Sequence, residues 1–206
     1  PRARGRPARA ALRTSGRPEG DRSADQSRSS SASAIADIGS GTGVVSGIAP
    51  GTATITYTVS GIVTTVVTVN PLPTAIATPV SQTICATTAT SINLSSSPVG
   101  STFGWTVSQA GTSGATAGSG STIAQTLGVT GLVSGTTTYS VTPTLSGCSG
   151  SPLDVVITVD PTPTAIATPT TQTICSETAF SIDLTSSPVG STFGWTVTEL
   201  GETGAN

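Results

Sequence analysis

The stretch from Pro71 to Asp160 begins again at Pro161. Thr74-Ala-Ile-Ala-Thr-Pro79 returns as Thr164 to Pro169, and Ser96-Ser-Pro-Val-Gly-Ser-Thr-Phe-Gly-Trp105 returns as Ser186 to Trp195. Laid on each other without a gap, residues 71–116 and 161–206 agree at 32 of 46 positions. A period of 90 residues is too long for a solenoid turn and matches one small β-domain per repeat. The chain therefore divides into a complete repeat, 71–160, and the first half of another, 161–206, with different material ahead of them.

The side chains available narrow the fold further. Aromatics make up 3% of the chain and there is no Met, so any core is built from Val, Ile, Leu and Ala. Thr, Ser and Gly dominate the rest. β-Branched residues alternate with period two, the pattern of half-buried strands and not of disordered tracts. No apolar run approaches the ~20 residues of a membrane span. The first residues are Arg-rich with no apolar stretch behind them, so a secretion signal, if the protein is exported, is expected outside this sequence.

Charge excludes one class of partner. All eight basic residues are Arg and lie at or before Arg28; residues 29–206 hold seven acids and no Lys, Arg or His. A body without cations offers nothing to a phosphate backbone, so the repeats are not expected to bind nucleic acid.

Residues 1–33 are expected to be a disordered Arg/Ser-rich segment. A basic arm, a flexible linker and a segment foreign to the protein all fit it, and the abrupt change of composition near Ser33 favours the last. Residues 34–70 are strand-like. Ala53, Ile55, Tyr57 and Val59 alternate with Thr, Ser60-Gly61 signals a turn, and Val63 to Val69 is a second β-branched run. Val44-Val45-Ser46-Gly47 and Pro50-Gly51-Thr52-Ala53-Thr54-Ile55 resemble the C-terminal half of a bacterial immunoglobulin-like group-2 (Big-2) domain. That family's N-terminal strands are missing here, so this half is expected not to close its own core. Asn70-Pro-Leu-Pro-Thr74 and Asp160-Pro-Thr-Pro-Thr164 are the joints; Pro-x-Pro favours extended, stiff geometry.

Within 71–160 about seven strands are expected. Ile92 and Leu94 share one face, as do Phe103, Trp105 and Val107; later come Tyr139 with Val141, and Val155 with Ile157. These nine residues form the expected core, with Trp105 at its centre. Residues 112–121 read as loop or weak edge strand, and Gln125 is the odd member of an otherwise apolar face. Seven short strands in about 90 residues predict a two-sheet sandwich. The blocks PTAIATPVSQTIC, TSINLSSSPVGSTFGWTV, GATAGSGSTIAQTL, TTTYSVTPTLSGCSGSP and VVITVDP, in that order, are similar to the PKD-like (polycystic-kidney-disease-like) repeats of very large secreted Bacteroidota proteins. The resemblance covers 71–160 throughout and 161–206 as half of another copy. It implies an all-β chain of tandem immunoglobulin-like β-sandwiches, one complete repeat flanked by two truncated ones, cut from a longer extracellular or cell-surface array with adhesive relatives.

The three cysteines are Cys85, Cys148 and Cys175. Cys175 is the repeat counterpart of Cys85, and its own Cys148-like partner would fall at position 238, so it is expected to be unpaired by truncation. The family resemblance implies a Cys85–Cys148 pair, which fits an oxidising compartment. Strand order raises a difficulty: Cys85 precedes its strand and Cys148 follows its own, which sets them at opposite ends unless 79–88 folds back. A bridge between neighbouring repeats is the competing arrangement.

Enzyme chemistry has few materials here. Without His there is no Ser-His-Asp or Cys-His arrangement. Asp154 and Asp160 are too far apart along one strand for a carboxylate pair and read as strand-end solvation. Gly118-Ser-Gly-Ser121 lacks the Lys and helix of a phosphate loop. No metal site is expected, since there is no Cys-x-x-Cys and no Asp-rich calcium loop. No cofactor is expected. The functional expectation is a non-catalytic stalk whose partners are the neighbouring repeats of the same chain. The alternatives are repeats that bind a glycan or a surface protein through loops 108–121 and 131–136, and an accessory module of a secreted hydrolase. An aromatic platform would support sugar binding, and only Tyr57 and Phe180 fall outside the aromatic core positions, which weakens both alternatives.

Overall fold

The structure, a computed structural model, describes residues 27–198, so the expected arm over 1–26 and the last eight residues lie outside the described residues. All its regular elements are strands. They fall in two compact units that divide between Val69 and Asn70.

The first unit holds β1 (Ser27–Ser30), β2 (Ala36–Ile38), β3 (Val45–Gly47), β4 (Gly51–Thr58) and β5 (Ile62–Val69). The Ser60-Gly61 turn sets β4 against β5 in full antiparallel register, and β1 adds to the other edge of β4; β2 and β3 pair separately. Ala36, Ala53 and Ile55 are buried, whereas Ile62, Val63 and Val66 stand exposed. β1 corrects the expectation of disorder over 27–33. Ser27–Ser30 pair with Thr58–Ile55, and Arg28 lies 5.0 Å over the Tyr57 ring while donating to the Ser40 carbonyl at 2.7 Å. A ladder on an open strand edge needs backbone groups and not apolar side chains, so a Ser/Arg tetrapeptide can supply it.

The second unit contains the complete sandwich. Its strands are β6 (Thr74–Thr78), β7 (Ser81–Cys85), β8 (Thr88–Ala89), β9 (Ile92–Ser97), β10 (Thr102–Ala110), β11 (Thr112–Ser113), β12 (Gly118–Ser119), β13 (Thr122–Ile123), β14 (Thr126–Val129), β15 (Gly135–Leu145), β16 (Cys148–Ser149) and β17 (Leu153–Asp160). One sheet runs β12-β10-β15-β17-β7, with β16 folded back on β15. The facing layer is made of β13-β9-β6 and β11-β14-β8. The first strand is split between the sheets. Pro79 offers no N–H to a ladder; past it the chain leaves β9 and resumes as β7, parallel to β17.

Period-two alternation fills the space between the sheets. Ile92, Leu94, Phe103, Trp105, Tyr139, Val141, Val155 and Ile157 are buried in one cluster, with Ile84, Ile123, Leu127 and Val159; Val107 is half-buried against it. In the second copy β18 (Thr164–Thr168) pairs with β19 (Asp183–Ser187), Thr164 opposite Ser187 as Thr74 is opposite Ser97. The described part of the β10 counterpart, 192–198, is not a strand there. Trp105 is 7% exposed and its repeat counterpart Trp195 is 77% exposed.

Candidate functional site

Three regions could act on a partner: the outer face of the larger sheet, the long loops, and the two ends of the sandwich. On the outer face, Gly104 leaves a notch between β10 and β15. Thr106, Ser140, Thr142 and Thr144 wall a shallow groove of about 350 Å³, and Gly118 closes it beside Trp105. The walls are hydroxyls with no charged group to orient a ligand. Trp105 faces the core and donates its indole N–H to the Thr116 carbonyl at 3.2 Å. It is a packing residue.

The 108–121 loop is strapped down. Gln109 accepts from the Ala115 N–H at 3.2 Å and donates back to the Ala115 carbonyl. Gln125 does most of the work from below. Its Oε1 accepts from the Thr116 N–H at 2.9 Å and from the Tyr139 hydroxyl at 3.0 Å, and its Nε2 donates to the Thr116 carbonyl at 2.9 Å. Gln125, the odd polar residue, sits between β13 and β14 and is therefore the clamp between loop and core. Burial of the Tyr139 phenol pushes its pKa up from 10.0 to about 12. Beside it, Thr90 accepts from the Gln125 N–H, and the Thr112 and Thr137 hydroxyls meet at 2.7 Å. The 131–136 loop differs: Leu132 and Val133 project into solvent, while Ser134 donates to Asp160 at 2.6 Å.

The ends of the sandwich are chemically distinct. The chain arrives at the leading end through 70–73 and departs from the trailing end through Asp160. Cys85 is at the trailing end, in register with Asp160, and the Ala86 N–H donates to the Asp160 carbonyl at 2.7 Å. Cys148 is at the leading end, opposite Leu145 at the far end of β15. The 11 residues of β15 separate them, about 35 Å at ~3.3 Å per residue. A disulfide tolerates Cα atoms only about 4.4–6.8 Å apart. The pairing of Cys85 with Cys148 is thus corrected: the segment 79–88 does not fold back but runs as β7 toward the trailing end. Both thiols are free, as is that of Cys175; Cys85 and Cys175 are exposed and Cys148 is half-buried.

Asp154 and Asp160 flank β17 at its two ends and are not brought together. No cluster of His, Cys, Asp or Glu able to hold a metal occurs among the described residues. No helix among them is long and apolar enough to cross a membrane.

Residues 82–163 match the PKD-like domain family. The match begins inside β7 and ends in the joint after β17. No curated protein matches the chain. Among solved structures, domains 4 and 5 of the S-layer protein SbsC align over 67% of this chain and 70% of that one, at 19% identity and a TM-score of 0.31. A likeness that slight carries no argument.

Proposed function

We propose that this chain is a non-catalytic spacer segment of a large extracellular bacterial surface protein, in which PKD-like sandwiches stand in series and carry a functional tip away from the cell. One observation carries the reading: the chain enters the 71–160 sandwich at one end and leaves from the opposite end, straight into a Pro-x-Pro joint and a second copy. A module threaded in this way adds length with every repeat. In the same reading, 34–70 is the C-terminal half of a Big-2-like domain, and the source is a member of the Bacteroidota. The groove of uncharged hydroxyls and the strapped 108–121 loop support a spacer over an enzyme.

A second reading is favoured by exposed Leu132 and Val133: the repeats themselves grip a glycan or a surface protein. A binding screen separates the two. The chain, extended to complete its second repeat, is applied to a glycan array and to intact cells. The spacer reading expects no saturable binding from a folded monomer. Saturable binding that disappears when loops 108–121 and 131–136 are exchanged would make the repeats adhesive modules instead.

A further inference from the structure

We infer that wherever one of these repeats follows another, Cys85 of the first forms a disulfide with the Cys148 counterpart of the second, so that each joint is covalently locked. The two observed joints, superposed through the 90-residue period, place these cysteines on either side of one residue. That residue is 70 at the first joint and 160 at the second. Looking back along the chain, Asp160 is the register partner of Cys85 and bonds to Ala86; Thr162 of the same joint donates to the Ala86 carbonyl at 3.5 Å. Looking forward, the Asn70 side-chain amide donates to the Ser146 carbonyl at 3.3 Å, two residues from Cys148. Gly150, two residues beyond Cys148, lies so close to the Pro73 carbonyl that a Cβ there would collide with it.

At a joint between repeats, Asp160 pairs with Cys85 of the repeat behind, and the residues after it correspond to 71–73, of which Pro73 lies against Gly150 of the Cys148 hairpin ahead; Asp160 cannot donate the bond that the Asn70 amide makes, so the approach rests on the backbone. The joint thus sets Cys85 and the hairpin that carries the Cys148 counterpart against the same few residues. The same geometry that forbids a bridge within a repeat brings the thiols together between repeats. Apolar side chains point the same way. Leu132 and Val133 are exposed at the trailing end, and Leu72 and Val99 at the leading end. Ends drawn together by a bridge would shield these four.

The chemistry is thiol–disulfide exchange. One cysteine thiolate attacks an oxidant disulfide, of a protein or a small molecule, and expels one thiol from it. The second cysteine then attacks the mixed disulfide and expels the other. One S–S bond forms in the protein and one breaks in the oxidant. The oxidant takes up the two protons and two electrons and leaves as two thiols.

The inference rests on the serial arrangement proposed above, but its readout is which thiols pair. A missing bridge leaves the spacer reading intact, and a binding result leaves the bridge untouched. The test is the full chain lengthened past Asn206 by residues 117–160, which completes the second repeat and adds one cysteine. It is equilibrated in a glutathione redox buffer, alkylated, digested and mapped by mass spectrometry. The expected monomer has one bridge, from Cys85 to the added cysteine, with Cys148 and Cys175 alkylated. Cys85→Ser should leave every remaining thiol alkylated, and Cys175→Ser should leave the bridge in place. A Cys85–Cys148 bridge overturns the inference, as does a folded monomer in which all four cysteines alkylate. The unlengthened chain guards against misfolding of the extension: all three of its thiols should alkylate, and an internal bridge between any two of them contradicts the geometry.

Discussion

Replacing Gln125 by Leu keeps the volume of the side chain and removes its polar head. The Tyr139 residue is fully buried, and its hydroxyl has Gln125 Oε1 as acceptor at 3.0 Å. An apolar group of similar size excludes the water that could substitute, so the hydroxyl is left unsatisfied at a cost of about 1–3 kcal/mol. The Thr116 groups lost at the same time are exposed and find water. Tyr139→Phe is milder. It removes one hydrogen bond, about 1 kcal/mol, while Gln125 Oε1 keeps the Thr116 N–H at 2.9 Å. With both changes made, no buried polar atom is stranded, so the double variant is expected to be more stable than Gln125→Leu alone. The coupling should be about 1–2 kcal/mol. At roughly 4–8 °C of Tm per kcal/mol for a domain of this size, Gln125→Leu should melt about 4–24 °C early and Tyr139→Phe should restore part of that. The assay is thermal unfolding followed by Trp105 fluorescence in a Trp195→Phe background. Losses that simply add in the double variant would refute the clamp.

Three further expectations follow from the same structure. Raising the pH from 10 to 12 ionises tyrosine in the unfolded chain while Tyr139 in the fold keeps its proton; the unfolded state then binds fewer protons, so stability falls across that window, and urea midpoints should show this slope flattened in Tyr139→Phe. Gly150→Ala drives a Cβ into the Pro73 carbonyl and should cost about 1–3 kcal/mol. Gly147→Ala meets open space but sits at φ +80°, and should cost only about 1 kcal/mol, so the order of the two urea midpoints tests the packing of the leading joint. Acrylamide should quench Trp195 strongly and Trp105 weakly; equal quenching would contradict the unequal burial of these repeat counterparts.

Much of the fold is legible because a strand reports its faces with period two. Phe103 and Trp105, Tyr139 and Val141, Val155 and Ile157 fall on inward faces by counting alone. What cannot be counted is where a strand sits. Ser81-Gln-Thr-Ile-Cys85 carries a single large apolar residue, and its parallel pairing with β17 depends on Pro79 sending the chain to the other sheet. That crossing fixes the end at which Cys85 lies, and hence the failure of the pairing implied by resemblance. Gln125 reads as an exception until Tyr139 and Thr116 are seen on either side of it, because its partners come from distant stretches. Ser27–Ser30 carries no strand signal, since its order comes from the edge of β4. The absence of His rules out Ser-His-Asp and Cys-His arrangements within this sequence, whereas the chemistry of the joints emerges only when the sandwich ends are located.

A spacer must lengthen with each repeat, which small-angle X-ray scattering on oxidised chains of two, three and four complete repeats can read. Serial sandwiches should give a maximum dimension that grows linearly, by about 35–45 Å per repeat, from the 11 residues of β15 at ~3.3 Å each plus a joint. A dimension that barely rises with repeat number, as for a compact globule whose radius scales as about N^0.38, would mean that the sandwiches fold back on one another and do not form a spacer.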